Sequence, residues 1–235
     1  MLLRLLLCLG FLGLAACAPV VTTTAPSTSA AVQSSGAGAG LSQPERTFAQ
    51  VVGRMEPVVE RECRQRAPAL NCDFRIVVDD RRQPPNAFQT LDENGRPILG
   101  FTLSLIQDVR NADELAFVLG HEAAHHIAGH LARQQQNATL GAAVFGALAA
   151  RTGAGTSGVQ SAQELGAVVG ARSYSKAFEL EADQLGTILT ARSGYDPVRG
   201  ADYFTRIPDP GNRFLGTHPP NAQRIAIVQE TASQL

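Results

Sequence analysis

The stretch His121-Glu-Ala-Ala-His125 decides how this chain is interpreted, and it lies in a run from Asp113 to about Leu131 whose apolar residues recur with helical spacing. Asp113 is predicted to cap this helix. At about 100° per residue, positions i and i+4 lie about 40° apart on one helix face, so two imidazoles can reach one metal ion. Glu122 projects about 100° from His121, where its carboxylate can take a proton from a water molecule at the metal. The spacing predicts a catalytic zinc site on a helix.

A two-histidine motif needs a third protein ligand, and the downstream residues limit the class of zinc enzyme. A metzincin has Gly and His seven and ten positions after the first histidine, but here those residues are Ala128 and Leu131. No methionine follows Met55 to supply the turn typical of metzincins. The sequence therefore excludes that class.

The third ligand is predicted in Glu179-Leu-Glu-Ala-Asp183, a downstream segment of a predicted helix. Glu179 and Asp183 share a helix face, whereas Glu181 points elsewhere. Glu179 is predicted to bind zinc, and Asp183 to hold the imidazole of His121 by a hydrogen bond. Without the upstream histidines, the same two carboxylates would be interpreted as a solvated helix face.

The composition is that of a globular protein. The chain has 235 residues, of which 44% are hydrophobic and 17% charged, and this excludes a wholly disordered, collagen-like or coiled-coil protein. Twenty Lys and Arg residues against 21 Asp and Glu leave a net charge of −1, so binding to nucleic acid or another polyanion is disfavoured. The body of the chain contains no apolar stretch of about 17–25 residues, so a polytopic membrane protein is excluded.

The first 17 residues predict a secretory signal peptide, because Arg4 precedes an apolar run and the segment ends in Leu14-Ala-Ala-Cys17. A cysteine directly after the small residues is similar to a bacterial lipoprotein signal, in which Cys17 would be acylated and become the mature N-terminus. The alternative is an ordinary signal peptide with an incidental cysteine. Ala18, where an aspartate would favour the inner membrane, favours the outer membrane. A periplasmic, lipid-anchored protein is therefore expected.

Residues 18–43 are predicted to form a disordered tether, because Ala, Thr, Ser, Gly, Pro and Val cannot bury enough apolar surface to fold. The folded domain is then 44–235. It contains two cysteines, Cys63 and Cys72, and an even pair in an oxidising compartment predicts a disulfide. Two buried free thiols are the alternative.

An α+β fold that is mainly helical is predicted for the domain. Apolar residues from Glu45 to about Ala67 recur at helical spacing. Three short strands, 74–78, 86–91 and 98–105, are predicted to form a small antiparallel sheet, with a tight turn at Asn94-Gly95. Further helices are predicted over about 172–192, from Asp196-Pro197, and over about 221–231.

Residues 138–171 are rich in Ala and Gly and are predicted to form two short, close-packed helices. The run from Ala138 to Ala150 is too short to cross a bilayer, and Gly166-x-x-x-Gly170 allows close helix contact. Packing in the core is the simpler interpretation. Insertion into a membrane or coverage of the active site are the functional alternatives.

These motifs together resemble the HtpX-like and CAAX-prenyl-protease-type zinc metallopeptidases, which are gluzincins, and especially their periplasmic lipoprotein members. The resemblance extends from about Pro85 to Ile225. Unlike in the membrane-embedded relatives, no transmembrane helices are predicted for the body of this chain. The matching pieces are Asn86-Ala-Phe88, Asp113-Glu-Leu-Ala before the His-Glu-x-x-His helix, Arg172-Ser-Tyr-Ser, Glu179-x-x-Ala-Asp183-x-x-Gly186, and Thr217-His-Pro-Pro-x-x-x-Arg224-Ile.

The resemblance implies a gluzincin-type domain with one Zn²⁺ per chain, in which Glu179 is the third ligand. His218 matches a histidine near the metal that would stabilise the oxyanion or occupy the open zinc position; a surface histidine beside two prolines is the alternative. Arg224 would orient substrate or His218. The strand with Asn86, Ala87 and Phe88 would lie near the cleft, where an extended substrate can add by main-chain hydrogen bonds.

Two further histidines are not expected to bind the metal. His126 and His130 point about 140° and 180° away from His121 on a continuous helix. They are predicted to pack or to form hydrogen bonds.

By resemblance, the predicted function is a zinc-dependent endopeptidase of the cell envelope that hydrolyses unfolded or misassembled proteins. The implied partners are these substrates, the membrane through the lipid anchor, and outer-membrane assembly partners. The main alternative is a zinc-bearing chaperone or assembly factor that does not cut its clients. Glu122 favours the enzyme, because a structural zinc site has no use for an unliganded carboxylate. A third alternative is a lipid-tethered adhesin or coat protein. It would explain the signal peptide and the tether, but the metal motif would then be a coincidence.

Overall fold

The computed structural model describes residues 40–173, 175–214 and 216–235. The predicted signal peptide with Cys17, and residues 18–39 of the predicted tether, lie outside the described residues. A 3₁₀ turn, Asp202–Thr205, accompanies the main elements. In chain order these are α1 (Gln43–Arg66), β1 (Arg75–Asp79), β2 (Ala87–Leu91), β3 (Pro97–Thr102), α2 (Leu103–Asp108), α3 (Ala112–Ile127), α4 (His130–Arg151), α5 (Thr156–Ser173), α6 (Ser175–Arg192), α7 (Pro197–Ala201) and α8 (Asn221–Ala232).

The prediction of a mainly helical α+β fold is confirmed. Within the described ranges, every helix is too short or too polar to cross a membrane.

Helix α1 begins with a capping box. The Ser42 side chain accepts from the Glu45 N–H, and the Glu45 carboxylate accepts from the Ser42 N–H, which satisfies two backbone donors at the helix start. The helix thus begins one residue before the predicted domain boundary. Its inner face buries Phe48, Val51, Met55, Val59 and Cys63.

A disulfide joins Cys63 of α1 to Cys72, which precedes β1, with the Cα atoms 5.7 Å apart. Both residues are buried in the main core. The structure therefore has the predicted pairing and not the alternative of two free thiols. The bond closes a short loop and holds the end of α1 against the start of the sheet.

The sheet is mixed, so the prediction of an antiparallel sheet is wrong for one of its three strands. Strands β2 and β3 form an antiparallel hairpin, but β1 pairs with β3 in parallel. The strand order is β1-β3-β2. The physical reason lies in residues 80–86, where Pro84-Pro85 prevents a tight hairpin and the chain crosses the end of the sheet to reach the far side of β3.

Helix α3 is the centre of the domain, with Leu115, Leu119 and Ala123 buried in the same cluster as α1 and the sheet. It crosses α6 at very short range. A Cβ added at Gly120 would lie 2.9 Å from the Gly186 carbonyl oxygen, closer than real Cβ contacts. Two glycines therefore let the backbones of α3 and α6 touch.

Both predicted ends of this helix are wrong. The cap is Asn111 rather than Asp113, because the Asn111 side chain accepts from the N–H groups of Asp113 and Glu114. The helix ends at Ile127 instead of Leu131. Gly129 follows with φ +66°, a conformation that other residues adopt only at a cost, and the chain then turns into α4.

Helices α4 and α5 form a long hairpin of 22 and 18 residues, not two short helices. Their contact is close, since a Cβ at Gly141 would overlap the Gly166 carbonyl oxygen. The interpretation as core packing is wrong for the large apolar side chains of the hairpin. The most exposed of them are Leu140 (59%), Val144 (63%), Leu148 (63%), Leu165 (56%) and Val168 (48%).

Candidate active site

Three predicted ligands, His121, His125 and Glu179, lie together. One ligand atom from each is within 4.8 Å of the others. The two Nε2 atoms are 3.0 Å apart, and the Glu179 carboxylate oxygens lie 3.6 Å from His121 Nε2 and 3.4 Å from His125 Nε2. Two imidazole nitrogens and a carboxylate are a donor set that zinc accepts, with a fourth position left for water or substrate. The residues present therefore fit a catalytic zinc ion.

Local and long-range structure both contribute to this cluster. Helix α3 places His121 and His125 one turn apart on one face. Glu179 comes from α6, which can approach because a Cβ at Gly186 would lie 2.9 Å from the His121 nitrogen. The close crossing of the two helices thus sets the position of the third ligand.

The Glu179 carboxylate is ionised in this environment. Burial alone raises its pKa, but hydrogen bonds from His125 and His218 and the charges of His121 and Arg224 together hold the pKa far below its ordinary value. A carboxylate that stays charged is ready to bind a cation.

Asp183 holds His121, as the sequence led us to expect. Its Oδ1 lies 3.0 Å from His121 Nδ1, and its side chain is fully buried. Burial raises the Asp183 pKa, but the bonds from Arg224 and His121 outweigh it and lower the pKa below its usual range. A carboxylate on Nδ1 leaves Nε2 of His121 free to face the metal position.

Arg224 pairs with Asp183, a contact that the sequence did not predict. It was expected to orient substrate or His218, but its Nε and Nη2 each lie 2.7 Å from an Asp183 oxygen. The residue is 7% exposed. Its guanidinium therefore neutralises Asp183 behind His121, and its Nη2 is also 3.6 Å from Glu179.

His126 and His130 lie where packing or hydrogen bonding was expected, but His130 also touches a ligand. His126 Nε2 is 2.8 Å from the Asn71 carbonyl oxygen, away from the cluster. His130 Nδ1 is 2.9 Å from His125 Nδ1. Burial, joined by the charge of His125, lowers the pKa of His130 to about 4, so this imidazole is neutral at pH 7.

The sequence did not reveal the contact between His130 and His125. Five residues correspond to about 140° on a continuous helix, which would separate the two rings. The left-handed residue Gly129 interrupts the helix and brings His130 back toward His125. The signal in the sequence that could have revealed this contact is Gly129, because a glycine in the left-handed conformation often ends a helix.

Glu122 lies beside the ligands and makes no hydrogen bond or ion pair with any residue in the described ranges. Its side chain lines both cavities of the site. Burial raises its pKa, while the nearby His121 and His125 act in the opposite direction and Glu179 adds to the increase. A carboxylate with a raised pKa is a stronger proton acceptor than an ordinary one, which suits a group that accepts and returns a proton.

His218 reaches the site from the loop before α8. Its Nδ1 lies 3.0 Å from Glu179 Oε2, and its side chain is 54% exposed. The loop therefore brings this histidine to a ligand side chain at the mouth of the cleft.

The cleft extends to both sides of Glu122, His125, Glu179 and His218. On one side is a cavity of about 210 Å³ that also contacts Gln89. On the other side is a larger cavity of about 680 Å³. Its apolar lining is formed by Leu105, Phe117, Val118, Tyr203, Phe204 and Ile207.

Strand β2 is an edge strand of the three-stranded sheet. The Thr102 N–H donates to the Asn86 carbonyl oxygen at 3.0 Å, and in the antiparallel ladder this places the main-chain groups of Asn86 and Phe88 toward β3. The N–H and C=O groups of Ala87 and Gln89 consequently face the free edge. Of the three strand residues expected to lie near the cleft, Asn86, Ala87 and Phe88, only Ala87 has its backbone at the free edge, and Gln89 was missed.

The chain is similar to known peptidases. Residues 45–232 match the family described as "Peptidase family M48". The chain is 30% identical over 186 residues to the "Putative beta-barrel assembly-enhancing protease" of Vibrio cholerae serotype O1, covering 70% of this chain and 38% of that protein.

Two other relatives are named "Beta-barrel assembly-enhancing protease". The one from Yersinia pestis is 32% identical over 146 residues, which cover 56% of this chain and 30% of the relative. The one from Escherichia coli strain K12 is 29% identical over 140 residues, which cover 53% and 28%. The chain thus spans roughly a third of the length of these relatives.

Proposed function

This chain belongs to peptidase family M48, and from that membership we propose that it is a zinc-dependent endopeptidase of the bacterial cell envelope that hydrolyses unfolded or misassembled proteins. One observation carries the proposal. Three ligand atoms lie within 4.8 Å of one another, and an unliganded carboxylate, Glu122, lies beside them. A metal site with a purely structural role would not need that carboxylate.

His121, His125 and Glu179 would hold the zinc ion. When bound, zinc supplies Lewis-acid chemistry, polarising the substrate carbonyl and making water a stronger nucleophile at neutral pH. Asp183 and His130 contact the Nδ1 atoms of the two histidines, which leaves both Nε2 atoms directed at the metal position.

Glu122 moves the proton in the proposed reaction. It accepts a proton from the attacking water as the water oxygen bonds to the peptide carbon, and it returns that proton to the amine nitrogen as the C–N bond breaks. With its Nδ1–H on the Glu179 carboxylate, His218 can donate from Nε2 only as an imidazolium, and in this form it is proposed to donate a hydrogen bond to the developing oxyanion. Its Nδ1 contacts Glu179, and its Nε2 has no hydrogen-bond partner among the described residues.

The shape of the cleft supports an extended chain as substrate. The free edge of β2 offers main-chain donors and acceptors at Ala87 and Gln89, so a peptide without regular structure can add as a strand. Folded proteins rarely expose such segments, whereas unfolded or misassembled ones do.

We further propose that the protein is a periplasmic lipoprotein, anchored through Cys17 to the outer membrane. This rests on the signal-like first 17 residues and Ala18, and it accords with relatives named for β-barrel assembly. Outer-membrane assembly partners are part of the same proposal.

The larger cavity is expected to select the residue after the cleaved bond. A substrate strand antiparallel to β2, the more stable arrangement, runs from the Gln89 end toward Ala87. Residues after the scissile bond therefore enter the 680 Å³ cavity. Its lining includes several large apolar side chains beside polar ones, and filling an apolar pocket with a large side chain in place of a small one is worth about 1–3 kcal/mol.

Peptides that differ at one position test this selection. With Phe or Leu directly after the scissile bond we expect kcat/KM roughly 10-fold or more above the matched peptide with Gly. Mass spectrometry of the products locates the cleaved bond. A selectivity found only at the residue before that bond would show that the strand binds in the opposite direction.

Zinc removal tests the proposed activity. We expect the purified full-length protein to cleave casein, an unfolded protein, to lose this activity on treatment with a chelator, and to regain it with one equivalent of zinc. Product formation is followed by gel and by mass spectrometry. Protein that holds a full equivalent of zinc but cleaves neither casein nor unfolded outer-membrane proteins would contradict the enzyme and favour the non-proteolytic chaperone.

A further inference from the structure

We propose that His130 is a positioning residue that fixes the ring of His125 for zinc, with Glu181 and Arg133 behind it. The inference rests on the proposed zinc site. No ligand role was expected for His130, and none is assigned here. Its effect would act through His125 alone.

The first step is the orientation of His125. Its Nε2 faces the other two ligands, at 3.0 Å from His121 Nε2 and 3.4 Å from a Glu179 oxygen. A histidine that binds a metal through Nε2 carries its proton on Nδ1. That Nδ1–H needs an acceptor, and the atom within reach is His130 Nδ1, at 2.9 Å.

The second step is the proton on His130. An imidazole that accepts at Nδ1 carries its proton on Nε2. His130 Nε2 lies 3.2 Å from Glu181 Oε2, so this N–H has a carboxylate acceptor. Arg133 Nη1 donates to the same carboxylate oxygen at 2.8 Å. The His125 Nδ1–H and the His130 Nε2–H thus each meet one acceptor, and the Glu181 carboxylate ends the chain.

The third step is the rigidity of the His130 ring. Its side chain is 5% exposed, and it stacks on Phe178 with ring centroids 4.6 Å apart and planes 12° apart. The Arg133 guanidinium lies 4.3 Å from the centroid of the same Phe178 ring. A ring held by stacking and by hydrogen bonds at both nitrogens can hold its partner in one orientation.

The two zinc-binding histidines would then be held by different chemistry. His121 donates to Asp183, a buried carboxylate bonded to Arg224. His125 donates to a neutral imidazole, and the charged groups Glu181 and Arg133 lie one ring further away. Glu181, at 46% exposed, is accessible to solvent. Partners of this kind typically change metal affinity 10- to 100-fold when they are removed.

The His130→Phe variant tests the proposal, because phenylalanine keeps the stacking on Phe178 and removes the acceptor for His125. We expect the full-length variant to bind zinc 10- to 100-fold more weakly than wild type, measured by competition with a chelator. The matched control is His126→Phe, a buried histidine of α3 that bonds to Asn71 instead of the cluster. Its zinc affinity should stay within about threefold of wild type.

If His130→Phe does not fold, a second variant still tests the proposal. Glu181→Ala changes a half-exposed side chain and leaves the packing of His130 intact, and we expect zinc affinity to fall about 3- to 10-fold. Circular dichroism of the metal-free proteins reports folding separately. Wild-type zinc affinity in folded His130→Phe, or in Glu181→Ala when His130→Phe does not fold, would overturn the proposal.

These outcomes also separate the two hypotheses. Wild-type protein that binds no zinc would overturn the proposed function and this inference together. Tight zinc binding by wild type and by both variants would overturn only the role of His130.

Discussion

Glu122→Gln is expected to lower kcat on an unfolded protein by about 10²- to 10⁴-fold, the range that general acid–base groups contribute. The glutamine amide has the same shape but cannot accept and return a proton. Glu122 makes no hydrogen bond within the described ranges, so the change should leave the fold and the three ligands undisturbed. We expect the variant to bind one equivalent of zinc, measured by metal analysis of the purified protein.

The matched control is Glu164→Gln, an exposed carboxylate on α5. Its kcat should stay within about twofold of wild type, because surface changes away from the site have small effects. Equal casein cleavage by wild type and Glu122→Gln would contradict the assigned role of Glu122. Zinc loss in Glu122→Gln would show instead that this carboxylate acts on the metal site.

Asp183→Ala is expected to destabilise the protein by about 3–5 kcal/mol, because it leaves the buried Arg224 cation without its carboxylate. Asp183 is fully buried, and both of its bonds to Arg224 are 2.7 Å long. The same variant removes the partner of His121 Nδ1, so zinc affinity should also fall. Chemical denaturation of the metal-free protein measures the loss of folding stability separately from the loss of zinc affinity.

A surface ion pair provides the control. Asp73 and Arg96 are 2.9 Å apart with side chains 66% and 39% exposed, and Asp73→Ala should cost at most about 1 kcal/mol. The double variant of Asp183→Ala with Arg224→Ala should lose less stability than the sum of the two single variants, because neither member of the pair is left buried without its partner. Additive losses would contradict the pairing.

Much of the site is encoded in local spacing. His121 and His125 share a face because any helix places positions i and i+4 together, and the same rule applies to Glu179 and Asp183. Buried residues such as Val51 and Met55 recur every three or four positions in α1, so that helix was predictable too. These features depend on helix geometry, which the sequence pattern reveals without knowledge of neighbours.

Other features could not be predicted from the sequence because they depend on contacts between distant parts of the chain. Arg224 is 41 residues from Asp183 along the chain, and no periodicity relates the two. Strand β1 is parallel to β3 because the chain crosses the sheet end before β2, and local β-propensity carries no information about strand direction. The exposed apolar side chains of α4 looked like core because composition does not show whether a neighbour covers them.

The sequence therefore predicted the metal ligands, the general base and the mainly helical class, since each prediction depends on residue type and local spacing. The structure confirms the mainly helical class and brings the three predicted ligands together. The tertiary structure decided which groups surround those ligands. Gly129 turns His130 back onto His125, and the contact between Gly120 and Gly186 sets the distance from α3 to Glu179. Backbone breaks and close helix crossings arise from packing among distant residues, and a linear pattern does not specify them.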